Sequence, residues 1–179
     1  MSKLRTIAVV LLLVAADAPL TEPEQKARDF AFEGVRIGQT ETDLKKGRTF
    51  TVMPAAAVDT TGTLTALKIE SETAMIFAHL HRGRVVRLRV AWDEAATARA
   101  GGEGNILRQL TAKFGKQHVA NQEKKVAAVG WSFPRVGRDI ELHSDESDDM
   151  TYVRLTITDR PAWTAAKKEQ TSKTKTGLE

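Results

Sequence analysis

The chain has 179 residues, is 41% hydrophobic and 28% charged, and carries a formal net charge of +4 with no cysteine. That length supplies one sizeable core and is short for two, and the composition excludes a globally disordered chain. The missing thiols exclude disulfides, thiolate zinc sites and cysteine nucleophiles, and so modest a charge gives no support for nucleic-acid binding.

At the N-terminus, Lys3 and Arg5 precede an unbroken apolar run from Ile7 to Ala16. The run is too short to span a bilayer. A basic start, a short apolar core and a small-residue end describe a secretory signal peptide over residues 1–16. Val14 and Ala16 suit the −3 and −1 positions, so cleavage is expected before Asp17. The mature chain is then exported, periplasmic or secreted, with no transmembrane span.

Residues 17–31 read as an N-terminal segment. Thr21-Glu-Pro-Glu24 has capping-box spacing, and Ala27, Phe30 and Ala31 give a thin apolar stripe, which predicts a short helix. A single domain is expected over residues 32–164. It opens with "FEGVRIGQTETDL", where Thr40 and Asp43 repeat the helix-start spacing and Gly47 ends a brief turn. Strands are expected over 49–53 and 64–70, separated by Pro54 and a turn around Gly62.

The stretch "AMIFAHLHRGRVVRLRVAW" predicts a hairpin with Arg82-Gly83 as its two-residue loop. Strict alternation then places Phe77 opposite Leu88 and Met75 opposite Val90. One face carries Met75, Phe77, Val86, Leu88, Val90 and Trp92; the other carries Arg87 and Arg89. Next, Ile106, Leu107, Leu110 and Phe114 stand at helical spacing, with Gly115 as the stop. "VGWSFPRVGRDIELH" predicts a second hairpin around Pro134–Gly137, with Phe133 facing Arg138, Trp131 facing Ile140 and Val129 facing Leu142. After the turn "SDESDD", a strand over Thr151–Thr158 adds Val153, Leu155 and Ile157 to that face, and pairs Glu141 with Arg154 on the other. Residues 165–179 are polar and lack apolar periodicity, so they read as a disordered tail. The expected class is α+β: a mainly antiparallel twisted sheet with one or two helices packed on one face.

Few residues carry a chemical pattern. His79 and His81 form a pair on one strand face, a spacing that chelates metals, with a third ligand to be sought at His118, His143 or a carboxylate. On the predicted register, however, His79 falls on the apolar face opposite Val86, where a structurally satisfied histidine is the better reading. Asp145, Glu146, Asp148 and Asp149 offer hard oxygens, but the run lacks the glycine and distal glutamate of a calcium loop. Asp139 and Glu141 share a strand face at a spacing that suits an acid/base pair, yet that face is read as solvent-exposed and Glu141 is given Arg154 as a partner. Serine-nucleophile and phosphate-loop motifs are absent from the sequence. No residue is therefore read as catalytic, metal-binding or cofactor-binding. Arg87, Arg89 and Arg154 form a basic stripe, read either as part of a mixed-charge solvated face or as a docking surface for an anionic partner.

Together with "LTAKFGKQ" and "WSFPRVGRDIEL", the opening stretch resembles SmpA/OmlA-type outer-membrane assembly proteins and the β-lactamase-inhibitor-like fold. There, G-x-x-x-G-x-[ST] leads through a short helix into an antiparallel sheet, and Gly34, Gly38 and Thr40 match it. The resemblance implies a noncatalytic exported protein that binds other proteins or stabilises an envelope assembly. The expected function is thus an exported interaction module binding another envelope or secreted protein. The alternatives are an exported hydrolase, or a binder of metal or an anionic ligand.

Overall fold

A computed structural model describes residues 18–53, 64–123, 126–147 and 150–176, so the expected signal peptide lies outside the described residues. Helix α1 (Glu22–Arg28) is followed by a small hairpin, β1 (Ala31–Phe32) and β2 (Val35–Arg36), and by α2 (Glu41–Lys45). Strands β3 (Phe50–Val52), β4 (Leu64–Ile69), β5 (Met75–His81) and β6 (Arg84–Trp92) come next. Helices α3 (Glu94–Arg99) and α4 (Glu103–Phe114) lead to β7 (Val119–Glu123), β8 (Val126–Phe133), β9 (Arg138–Ser147) and β10 (Met150–Asp159), and α5 (Arg160–Thr176) follows directly. The fold is α+β, as the sequence pattern predicts. Eight strands form one antiparallel sheet in the order β3-β4-β5-β6-β10-β9-β8-β7.

Local chemistry accounts for the elements around the opening stretch. Thr21 and Glu24 close a reciprocal capping box on α1, and Thr40 caps α2 by accepting from Asp43 N. The turn between β1 and β2 is Glu33-Gly34, both at positive φ (47° and 73°), as a two-residue hairpin loop requires. A Cβ on Gly34 would lie 2.7 Å from Arg48 Nη2. That guanidinium donates to Glu33 O at 3.0 Å and to Leu44 O at 3.2 Å, stitching the turn to α2. Gly34→Ala is therefore expected to cost about 1–2 kcal/mol. In urea unfolding it should cost more than Gly83→Ala, where φ is also positive but no atom lies within 4 Å.

The main core lies on one sheet face, here called inner. Leu67, Ile76, Leu88, Val90, Trp131, Ile140, Leu155 and Ile157 pack there beneath Ala27 and Phe30 of the N-terminal segment and Ile106, Leu110 and Phe114 of α4. Ala27 and Phe30 of the N-terminal segment thus share the core of the sheet. The second hairpin has the expected register, with Trp131↔Ile140, Val129↔Leu142 and Phe133↔Arg138.

The first hairpin does not keep strict alternation. Its loop is Arg82-Gly83 and His81 faces Arg84, but a bulge between His79 and Leu80 on the β5 side leaves Val86 as an extra residue on β6. Beyond it Phe77 faces Arg89 and Ala78 faces Leu88. Ile76, Ala78, Leu80 and Val85 therefore fill the inner core, while Met75, Phe77 and Val86 turn to the outer face. The reason is that both faces of this hairpin are covered. Adjacent Val85 and Val86 are both buried, one in the main core and one in a satellite cluster with Leu64 and Ala166.

Ala166 belongs to α5, so the tail expected to be disordered from Ala165 is helical through Thr176. Ala162, Trp163 and Ala166 pack on the outer face, and Asp159 caps the helix by accepting from Ala162 N at 3.1 Å. Besides the helix on the inner face, the sheet thus carries one on its outer side. The expected Glu141–Arg154 pair is also corrected: β9 and β10 run on to Ser147↔Met150, which puts Glu141 beside Thr156 and Arg154 beside His143. Asp145 and Glu146 are consequently strand residues, and Asp148 and Asp149 lie outside the described residues. No helix among the described residues is long and apolar enough to cross a membrane.

Candidate functional site

Strand registers set the outer face out as a grid. One row runs Phe77, Arg89, Thr156, Glu141, Gly130. The next runs His79, Arg87, Thr158, Asp139, Ser132, and a third Ala91, Arg154, His143, Ala128. Helix α5 covers the β4–β6 side of this grid and reaches β10, leaving β8 and β9 open. Three arginines therefore adjoin one another on β6 and β10, with carboxylates one strand further out on β9.

These arginines are half-buried, and none makes a hydrogen bond or ion pair with a described residue. Arg87 lies 4.7 Å from the Trp163 ring centroid, and its Nε is buried with no hydrogen-bond partner among the described residues. Burial holds the Arg89 guanidinium below its usual pKa, and Arg154 and Arg87 push it the same way. Burial also lowers Arg87, with Glu141 opposing and Arg154 reinforcing. Arg87 and Arg89 are thus part-desolvated cations with Arg154 beside them, and Glu141 offsets this only at Arg87.

The open part of the face is different. Arg160, at the start of α5, donates through Nε to Asp139 Oδ2 at 2.6 Å and also reaches Ser132, whose hydroxyl contacts Asp139 Oδ1 at 2.8 Å. The hydrogen bond from Arg160 first, and that from Ser132, hold Asp139 below the usual carboxylate range. Glu141 is lowered chiefly by His143, whose Nε2 lies 3.4 Å away. Asp139, Glu141, His143 and Arg160 line a groove of about 370 Å³ floored by Ala128 and Gly130. The two carboxylates considered as an acid/base pair thus have separate cationic or imidazole partners.

His79 and His81 share the outer face, but each meets a different part of α5. The His79 ring stands edge-on to Trp163, with centroids 6.0 Å apart at 85°. Neither of its nitrogens has a hydrogen-bond partner among the described residues, so the expected structurally satisfied histidine is satisfied only by packing. It lies opposite Arg87, not Val86. His81 is buried and its Nε2 is 3.0 Å from Glu169 Oε2, which also accepts from Arg82. His118 is held against β8, its Nδ1 accepting from Ser132 N at 3.0 Å. No group of three or more metal-ligating side chains forms among the described residues.

The arginine stripe was legible from the sequence; its roof was not. Trp163, Ala166 and Glu169 follow helical spacing, but the last is a carboxylate, and an apolar-periodicity rule passes over it. No family model, curated protein or solved structure matches this chain.

Proposed function

We propose that this protein is an exported, non-catalytic interaction module, and that it docks an acidic segment of another envelope or secreted protein across Arg87, Arg89 and Arg154. The observation that carries this reading is a cluster of three part-buried guanidiniums without an acceptor among the described residues. Desolvated cations lacking a partner are costly, and carboxylates brought by a partner relieve that cost while setting register and speeding encounter. The alternative of hydrolysis has less support. Ser132 is engaged by Asp139 and Arg160 rather than by a histidine, and Asp139 is committed to a guanidinium. Export is supported by the basic-then-apolar pattern of residues 1–16 and by the likeness of the opening stretch to envelope proteins.

The test is titration with a glutamate-rich peptide, comparing wild type with the double variant Arg89→Glu/Arg154→Glu. Wild-type affinity should weaken as salt is raised, and the double variant should bind about 10- to 100-fold more weakly. Equal affinity for the two proteins would remove the docking face. A reporter active only outside the cytoplasm, fused after residue 16, checks the export half of the reading.

A further inference from the structure

The opening stretch borders a second cavity, of about 550 Å³, near the end of the sheet where β9 begins. Four guanidiniums reach it from four separate elements: Arg28 at the end of α1, Arg36 on β2, Arg84 on β6 and Arg138 on β9. Two carboxylates also line it, but both are already engaged. Asp29 accepts from Arg28 Nε at 2.9 Å and from Gln25, and Asp43 accepts from Thr40 Oγ1 at 2.7 Å and Lys46 Nζ at 2.8 Å.

The arginines retain unused capacity. Arg36 makes no side-chain hydrogen bond or ion pair with a described residue, although its charge helps lower both Asp29 and Asp43 from a distance. Arg84 spends only Nη1, on Gly38 O at 3.2 Å. Arg138 donates through Nη1 to Asp159 at 2.8 Å, yet its Nε is buried with no partner among the described residues. A buried N–H on a charged group bordering a polar cavity calls for an acceptor. The lining contains no aromatic ring, and Ile37 is its one large apolar side chain.

We propose that this cavity binds a small phosphorylated polyol or sugar, its phosphoryl group held by Arg36, Arg84 and Arg138. A phosphoryl dianion accepts several guanidinium forks from different directions. Walls that are polar and free of aromatic rings suit hydroxyl groups and offer a nucleobase nothing to stack on. The site is separate from the docking face: Arg138 shares the inner side of β9 with Ile140, and Arg84 opens β6 opposite His81 with its guanidinium on Gly38 O, whereas Arg87 and Arg89 lie further along the outer side of β6. The opening motif is therefore more than scaffold, since Arg36, Gly38 and Thr40 all border the cavity.

Calorimetric titration of the full chain with glycerol 3-phosphate, at constant ionic strength, tests the proposal. Saturable one-to-one binding is expected, weakened about tenfold or more in Arg36→Ala and partly restored in Arg36→Lys, which keeps the charge but loses the fork. Arg89→Glu should leave it unchanged, and glycerol should not bind. The proposal is overturned if no binding is seen up to about 10 mM. It is equally overturned if Arg36→Ala binds like wild type, if Arg89→Glu abolishes binding, or if adenosine monophosphate binds as tightly as glycerol 3-phosphate.

Discussion

Replacing Trp131 by alanine is expected to lower folding stability by about 3–5 kcal/mol, the largest effect of any single change considered. The side chain is 1% exposed and sits where the sheet meets its helical cover. Its ring centroid is 5.9 Å from that of Phe114, which in turn contacts Phe30 at 5.6 Å and Phe133 at 6.1 Å. Truncation therefore opens a cavity shared by β8, α4 and the N-terminal segment. It also removes the indole N–H that donates to Gly115 O at 2.8 Å, just beyond the end of α4. Trp131→Phe keeps most of the volume and should lose about 1–2 kcal/mol. Urea unfolding followed by circular dichroism checks both values. A loss below about 1 kcal/mol for the alanine variant would mean that α4 does not pack on this face.

The second large effect is a pH dependence centred on His79. Burial first, then Arg89, Arg87 and Lys167, lowers its pKa from 6.5 to about 4. In the unfolded chain the ring takes up a proton near pH 6.5, whereas in the folded chain it resists until about pH 4. Between those values the unfolded state binds more protons, so stability falls as pH falls. The contribution is complete above the unfolded value and is lost on reaching the folded one, up to about 3 kcal/mol in all. Protonation would place a further positive charge among Arg87 and Arg89 of β6 and Lys167 of α5, directly beneath Trp163. Acid should therefore loosen α5, read as a change in Trp163 fluorescence. His79→Phe preserves the edge-on ring contact without a titrating group, and its stability should be flatter between pH 6.5 and 4. Asp139 and Glu141, whose pKa values are lowered in the fold, contribute their own loss at the acid end in both proteins. Parallel profiles for wild type and His79→Phe would show that the ring is not desolvated.

How far the sequence could be read depended on whether one face or two were buried. Trp131, Ile140 and Leu155 face a core while Ser132, Glu141 and Thr156 face outward, and there simple alternation gives the face of each residue. Phe77 and Val86 defeat the same rule because α5 buries their side too, so apolar residues appear on both faces and a bulge absorbs the difference. The helix itself was hidden because its contact stripe is Ala162, Trp163, Ala166 and Glu169, only one of them a large apolar residue. Its last member answers His81, a polar residue buried beneath the helix. Two-residue slippage between Glu141 and Arg154 came from taking all of "SDESDD" as a turn, whereas the strands continue through Ser147. Arg87, Arg89 and Arg154 kept their common face despite these errors. Their lack of partners required the three-dimensional positions of Glu141, Asp139 and Arg160.

We propose that those three guanidiniums take carboxylates from outside the chain. Nuclear magnetic resonance of arginine-labelled protein, titrated with the glutamate-rich peptide, reads the claim at the atoms concerned. The Nε–H signals of Arg87, Arg89 and Arg154 should shift together and saturate, while that of Arg160, already held by Asp139, stays in place. Signals of the three that remain fixed while the peptide binds elsewhere would contradict the account.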